Sequence, residues 1–88
     1  MATSLTADVL QDEIAVSLAR VMAAANRKAR EGGIDLVNSI ISVTQRSFDG
    51  GLIWRVSYGP KDYPGRRGGD LIVDVEADAT IRQVLRGQ

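Results

Sequence analysis

The apolar residues of this chain change their spacing once, and that change most restricts the folds open to it. From about Ala7 to Arg30 they recur every three or four residues, which is typical of a helix with one buried face. From about Asn38 onward apolar and polar residues alternate, which is typical of strands with one covered face. One helix followed by strands predicts an α+β domain.

The predicted helix has recognisable signals at both ends. Asp8 with Gln11 three residues later forms a capping-box arrangement, and Thr6 is the competing N-cap. Gly32 and Gly33 predict that the helix ends at residue 31. The residues expected to face the sheet are Leu10, Ile14, Leu18, Val21, Met22, Ala25 and Ala29.

Four strands are predicted, at about 38–48, 52–58, 70–77 and 80–85. The run Asp49-Gly50-Gly51 predicts a tight hairpin, because glycine accepts the positive φ that such turns need. Ile41 and Val43 are expected on the buried face of the first strand. We therefore expect an antiparallel meander with the helix across one face, in the order αββββ, as a single domain over 1–88 with a tail at 1–6.

Charged residues alternate along the face of the sheet that the helix leaves open. Acidic side chains of the third strand should lie between basic ones of its neighbours, and such cross-strand pairs contribute roughly 0.2–1 kcal/mol each. The carboxylates Asp74, Glu76 and Asp78 could instead hold a divalent cation, but the oxygen-rich turn of a calcium site is missing. We expect ion pairs and no metal, with the open face carrying Arg55, Asp74, Glu76, Arg82 and Arg86.

The composition argues against most catalytic chemistry. The chain has no histidine and no cysteine, which removes the commonest general base and the commonest transition-metal ligands. Its 11 basic and 11 acidic residues give zero net charge, whereas binding to a nucleic-acid backbone needs a basic excess. We expect neither an enzyme nor a nucleic-acid-binding protein, and no cofactor.

The compartment is predicted from the same features. The absence of cysteine favours a reducing compartment, and the segment 1–6 has neither the basic nor the apolar part of a secretory signal. No apolar stretch approaches the ~20 residues of a membrane span. The expected location is the cytoplasm, with the periplasm as the alternative if a signal peptide has been removed.

The segment 59–69 is the first candidate binding surface. It is rich in glycine and proline and longer than a hairpin needs, and long ordered loops often bind partners. Arginines flanked by glycine can engage a phosphate, a carboxylate or an acidic protein surface. A solvated connection between strands is the competing interpretation. The residues expected to bind are Lys61, Tyr63, Arg66 and Arg67.

The second candidate is an apolar patch on the open face. Phe48 has the opposite parity to Ile41 and Val43, so we expect it beside Ile53 and Ile72. A contiguous exposed patch of this kind marks an interface, whereas scattered exposed apolar residues need no explanation. Trp54 and Tyr58, by contrast, are expected to pack against the helix, because aromatic residues at period two usually fill a core.

Short segments resemble the PepSY-type domains of bacteria, within the cystatin-like group of folds. They are Ile14–Ala19 in the helix, Gly51–Val56 in one strand, and Asp70–Val75 leading through Asp78-Ala79-Thr80 to the last strand. Those domains often have glycine after the threonine, where this chain has Ile81. The resemblance implies a non-enzymatic role as a peptidase-inhibitor-like module or a regulatory domain that binds a partner protein.

These observations favour a small protein-binding module. Two alternatives remain at this point. The first is a homo-oligomerising domain that associates through the open face or a free edge strand, for which zero net charge and a small core are favourable. The second is a small-molecule or anion pocket between helix and sheet near Trp54.

Overall fold

The computed structural model describes residues 6–60 and 71–86. It confirms the predicted α+β fold, with a long helix followed by a four-stranded antiparallel sheet in the order β1-β2-β3-β4. A 3₁₀ turn, Leu36–Asn38, connects the helix to the sheet. The elements are α1 (Ala7–Leu10), α2 (Glu13–Glu31), β1 (Ser39–Phe48), β2 (Gly51–Pro60), β3 (Leu71–Glu76) and β4 (Ile81–Arg86).

The helical region is divided at Gln11 and Asp12, where a single helix was predicted. Asp12 has an extended backbone (φ −93°, ψ 111°), and its carboxylate accepts a hydrogen bond from the Ala15 N–H at 2.9 Å. That bond satisfies one of the free donors at a helix start, so the long helix begins after Asp12. The predicted cap at Asp8 is wrong, whereas the predicted end at Glu31 is confirmed.

The hairpin between β1 and β2 forms as predicted. Asp49 and Gly50 both have left-handed backbones, at φ 52° and 79°. This two-residue turn geometry matches the twist of the flanking strands. It fixes a continuous register that runs from Phe48 opposite Gly51 to Ser39 opposite Pro60.

The core lies between the C-terminal half of α2 and the two middle strands. Val21, Ala25 and Ala29 are fully buried, and two of the three are small enough to bring the helix axis close to the sheet. Met22, Ile34, Leu36, Trp54 and Ile81 surround this core as partly buried residues. The strand residues packed into it are Val56, Tyr58, Leu71, Val73 and Val75.

The N-terminal part of the helical region does not face the sheet as predicted. Leu10 and Ile14 are exposed. The hydroxyl of Ser17 already donates to the carbonyl of Ala77 in the turn after β3, at 3.1 Å. Leu10 and Ile14, which precede Ser17, therefore lie beyond the end of β3 and are not covered by the strands that the structure describes.

The register of β4 shifts by one residue near its start. Asp74 lies opposite Gln83, but Val75 lies opposite Ile81, so Arg82 is an extra residue in the strand. The face on which side chains lie is therefore exchanged beyond Arg82. Arg86, predicted on the open face, instead reaches the helix side and donates to the Gly32 carbonyl at 3.1 Å.

Candidate functional site

Of the two predicted binding surfaces, the structure describes part of the apolar patch but not the binding residues of the loop. The predicted loop at 59–69 starts too early, because Gly59 and Pro60 belong to β2 and lie opposite Ile40 and Ser39. The binding residues Lys61, Tyr63, Arg66 and Arg67 lie outside the described residues, so their role stays a prediction. The side chain of Phe48 also lies outside what is described, although its backbone ends β1.

The expected exposure of Ile53 is wrong. Its side chain is only 5% exposed. In the register it lies between Arg46 of β1 and Glu76 of β3, on the same face. Long charged side chains at such neighbouring positions can cover an apolar residue with their methylene stems. Ile72 is half-buried, so neither isoleucine is a fully exposed anchor. The assignment of a binding role to this patch remains a prediction.

A charged network fills the centre of the open face. Asp74 is fully buried and accepts two bonds from Arg55, from Nε at 2.8 Å and Nη2 at 3.0 Å. Its Oδ2 also accepts from Gln83 Nε2 at 2.6 Å. Hydrogen bonding by the Arg55 guanidinium holds the pKa of Asp74 below its usual range. Glu76 and Arg82 form a second predicted pair, at 3.1 Å.

The described part of the open face contains ion pairs and hydrogen bonds between its charged side chains. No buried side-chain donor or acceptor among the described residues lacks a partner. Over 6–60 and 71–86, no three acidic side chains come together as a group that could hold a metal ion. In the core, burial raises the pKa of Tyr58 to about 12, and its hydroxyl donates to Asn26 Oδ1 at 2.7 Å.

Strand β1 is a surface that sequence reasoning did not single out, because a free edge strand was considered only as a contact of a homo-oligomer. Ile41 and Val43 were expected to be buried, but they are 38% and 36% exposed. They do lie on the helix side, opposite Tyr58 and Val56, but α2 packs mainly over β3 and β2. On the other face Ile40 is 53% exposed. Both faces of β1 therefore present apolar side chains to solvent.

The outer edge of β1 also presents backbone groups. The two-residue turn makes Phe48 and Gly51 a hydrogen-bonded pair, and such pairs alternate along an antiparallel ladder. The odd-numbered residues of β1 consequently direct their N–H and C=O groups away from β2. Because β1 is at the edge of the sheet, these groups face outward at Ile41, Val43 and Gln45.

The two edges of the sheet differ in how they are protected. The β4 edge has six residues, a register shift at its start and the charges of Arg82 and Arg86. Short length, bulges and charges are the usual means of preventing an edge from pairing. The β1 edge has ten residues, no proline and a continuous register, with Arg46 as its one charge. It is therefore open to another strand.

Comparison with known proteins adds no functional assignment to this geometry. The chain matches no protein-family model, no curated protein and no solved structure. The resemblance to PepSY-type domains consequently stays a prediction. In the described residues, no helix has both the length and the apolar character required to cross a bilayer.

Proposed function

We propose that this chain is a small, non-enzymatic protein-binding module that binds an extended segment along the edge of β1. The observation that carries the proposal is the ten-residue edge strand β1, which has none of the usual protections and exposes Ile41 and Val43. An added strand gains main-chain hydrogen bonds from such an edge, and alternate side chains give specificity.

The surroundings of β1 favour a protein ligand over a small molecule. Ile41 and Val43 continue the apolar helix side of β2 at an edge where no further strand follows within 6–60 and 71–86, so in this part of the chain they offer a flat surface. Small ligands usually need a concave site. Two shallow grooves lie at the hairpin end and beside the C-terminus of α2, and neither is lined by Trp54.

The predicted loop can extend this binding surface. Pro60, the last residue of β2, lies opposite Ser39, the first residue of β1. Arg66 and Arg67 follow within a few residues along the chain. An acidic or phosphorylated partner is the class that adjacent arginines would recognise. An inhibitory or regulatory role, as the resemblance implies, fits a module of this type.

The proposal is tested by photo-crosslinking in cells that make the protein. We place p-benzoylphenylalanine at position 41, on the edge strand, and at position 52, which is exposed but lies on β2. The expected result is a discrete protein adduct from position 41 and not from position 52. Adding Val43→Lys should abolish it, because lysine on an edge opposes strand pairing.

Two results would contradict edge binding in a protein that circular dichroism shows to be folded. Position 41 would give no adduct, or it would give the same adducts as position 52. The double variant Arg66→Ala/Arg67→Ala tests the loop separately. An adduct of unchanged yield would remove the loop from the binding surface, and a weaker one with unchanged Tm would include it.

A further inference from the structure

We infer that the strand bound at the β1 edge is β1 of a second copy of this chain, paired antiparallel about a twofold axis at Ser42. The inference rests on the proposed function and names its partner. The two sheets would join into one, with both helices on the same side.

Symmetry restricts the registers that two β1 strands can adopt. A twofold axis between antiparallel strands is perpendicular to the sheet, so it keeps each face on its own side. Side chains directly opposite one another share a face. The axis must therefore pass beside one residue of β1, which then lies opposite the same residue of the second copy. The candidates near the middle of β1 are Ser42, Val43 and Thr44.

The Ser42 register is the one that matches side chains best. It sets Ile41 opposite Val43 of the second copy, twice by symmetry, and Ile40 opposite Thr44. A Val43 axis would set Val43 opposite its own equivalent but Ile40 opposite Arg46. A Thr44 axis would set Ile40 opposite Phe48 but Ile41 opposite Ser47 and Val43 opposite Gln45. Apolar and β-branched pairs stabilise neighbouring strands, and of the three registers the Ser42 register alone gives both helix-side residues apolar partners.

The same register joins the exposed apolar surfaces of the two copies. Ile41 and Val43 from each copy become four adjacent side chains on the helix side. Each copy already continues inward from them to Val56 and Tyr58. The exposed side chains of Ile41 and Val43 in one molecule thus pack beside the same side chains of the other. This contact removes apolar surface of both molecules from water.

The outward backbone groups also find partners in this register. The pair of Ile41 with Val43, and that of Ser39 with Gln45, both join odd-numbered residues, whose N–H and C=O groups face outward. Each such pair exchanges two hydrogen bonds, so the four symmetric pairs form about eight. Backbone groups that face solvent in one molecule are then satisfied as in an interior strand.

Charge complementarity supports the same arrangement. Arg46 comes to lie opposite Asn38 of the second copy, one position before its β1. Asn38 Nδ2 donates to Asp35 Oδ2 at 2.7 Å, so a carboxylate is held next to that position. The guanidinium of one copy therefore approaches an acid of the other. The zero net charge of the chain adds no overall repulsion between copies.

Light scattering over a concentration series tests whether the partner is a second copy of the chain. The full chain should have the mass of a dimer at micromolar concentration, and Val43→Lys should raise the dissociation constant at least tenfold. Leu52→Lys is the matched control, because Leu52 is also exposed on the helix side but lies on β2. Circular dichroism confirms that both variants fold. A monomeric wild type up to high micromolar concentration would overturn the inference.

Disulfide trapping tests the register, since the chain has no cysteine of its own. In a Ser42→Cys variant the two cysteines form a non-hydrogen-bonded pair, with Cα atoms about 4.5 Å apart, which suits a disulfide. In Thr44→Cys the two thiols are about 13 Å apart along the strands. Ser42→Cys should therefore cross-link rapidly and Thr44→Cys should not, whereas a mixture of Ile40→Cys and Thr44→Cys should. Cross-linking of Thr44→Cys alone would overturn the Ser42 axis.

These results separate failure of the inference from failure of the proposed function. A monomeric chain whose position 41 still forms an adduct with a different polypeptide would overturn the dimer and retain edge binding. A monomeric chain with no adduct would overturn both. An adduct with twice the mass of the chain, together with Ser42→Cys cross-linking, supports both.

Discussion

Strands β1 and β3 belong to one sheet but are held in very different ways. A single row on the helix side contains Val43, Val56, Val73 and Val84, one from each strand. Val56 and Val73 are fully buried, whereas Val43 and Val84 are 36% and 37% exposed. The side chain, the face and the row are the same, so the difference arises from position: Val56 and Val73 lie on strands that have a neighbour on each side and are contacted by α2, whereas Val43 and Val84 lie on edge strands.

The opposite face repeats this contrast. The row behind the valines is Thr44, Arg55, Asp74 and Gln83, and its members on β2 and β4 both donate to the buried Asp74 on β3. Thr44 lies at the end of the row and is exposed. Strand β3 is thus covered on both faces, whereas β1 is attached through its ladder to β2.

The largest expected effect comes from breaking the network beneath β3. Asp74→Ala leaves Arg55 and Gln83 without their shared acceptor, and removing one partner of a buried ion pair is strongly destabilising. Because Arg55 keeps some solvent contact, we expect a loss of about 3 kcal/mol in the free energy of unfolding. Urea denaturation measures it. A loss below about 1 kcal/mol would mean that the network does not hold β3.

Acid provides a second measure of the same network. Folding lowers the pKa of Asp74, so its contribution to stability is present above the unfolded value of about 3.9 and is lost as pH falls below it. The wild type should therefore lose stability more steeply below about pH 4 than Asp74→Asn. Urea denaturation between pH 2 and 6 gives both curves, and parallel curves would contradict the assignment.

The valine row gives the most direct comparison of covered and uncovered strands. Val73→Ala removes two methyl groups from a filled core and should cost about 2 kcal/mol. Val84→Ala removes the same groups from an exposed edge position and should cost less than about 1 kcal/mol. Thermal and urea unfolding of the two variants provide the numbers. Equal losses would show that α2 does not determine burial along the row.

A smaller effect is expected at the bond between α2 and β2. Tyr58→Phe removes the hydrogen bond to Asn26 and should cost about 1 kcal/mol at neutral pH. Burial raises the pKa of Tyr58 to about 12, so its contribution is complete below pH 10 and is lost as pH rises toward 12. The phenylalanine variant should therefore lose less stability in that interval. An identical alkaline slope would contradict this origin.

The smallest effect should come from the part of α2 that lies beyond the sheet. Asp12→Ala removes the cap bond to Ala15 and should cost about 0.5–1 kcal/mol, whereas Asp8→Ala should change stability by less. Helicity measured by circular dichroism should fall slightly in the first variant. A larger loss for Asp8→Ala would place the N-terminal cap at the position predicted from sequence.

The sequence predicts the fold class, the strand order and the hairpin because these depend on local signals. The turn at Asp49-Gly50 needs a left-handed backbone, and Trp54 and Tyr58 alternate with polar residues on a strand. Alternation indicates which face a residue lies on. It does not indicate how far a helix reaches across that face, so Ile41 and Val43 were placed on the correct side and wrongly expected to be buried.

Other differences have the same origin in tertiary placement. A cap can form at Asp8 or Asp12 by local rules, and the structure selects the aspartate whose side chain reaches an amide. The β1 edge is a candidate binding surface because α2 packs mainly over other strands, and the sequence contains no local signal for that placement. The sequence features that indicate an open edge are the absence of proline and the low charge from Ser39 to Phe48.

The extra residue at Arg82 determines what a change of length would do to the last strand. The bulge sets Gln83 opposite Asp74 and Val84 opposite Val73, and it brings Arg86 to the end of α2. Deleting the Arg82 codon would remove the bulge and keep these pairs, because Gln83 would then follow Ile81 in a regular ladder. A one-residue insertion after the bulge would instead move the later side chains to the opposite face.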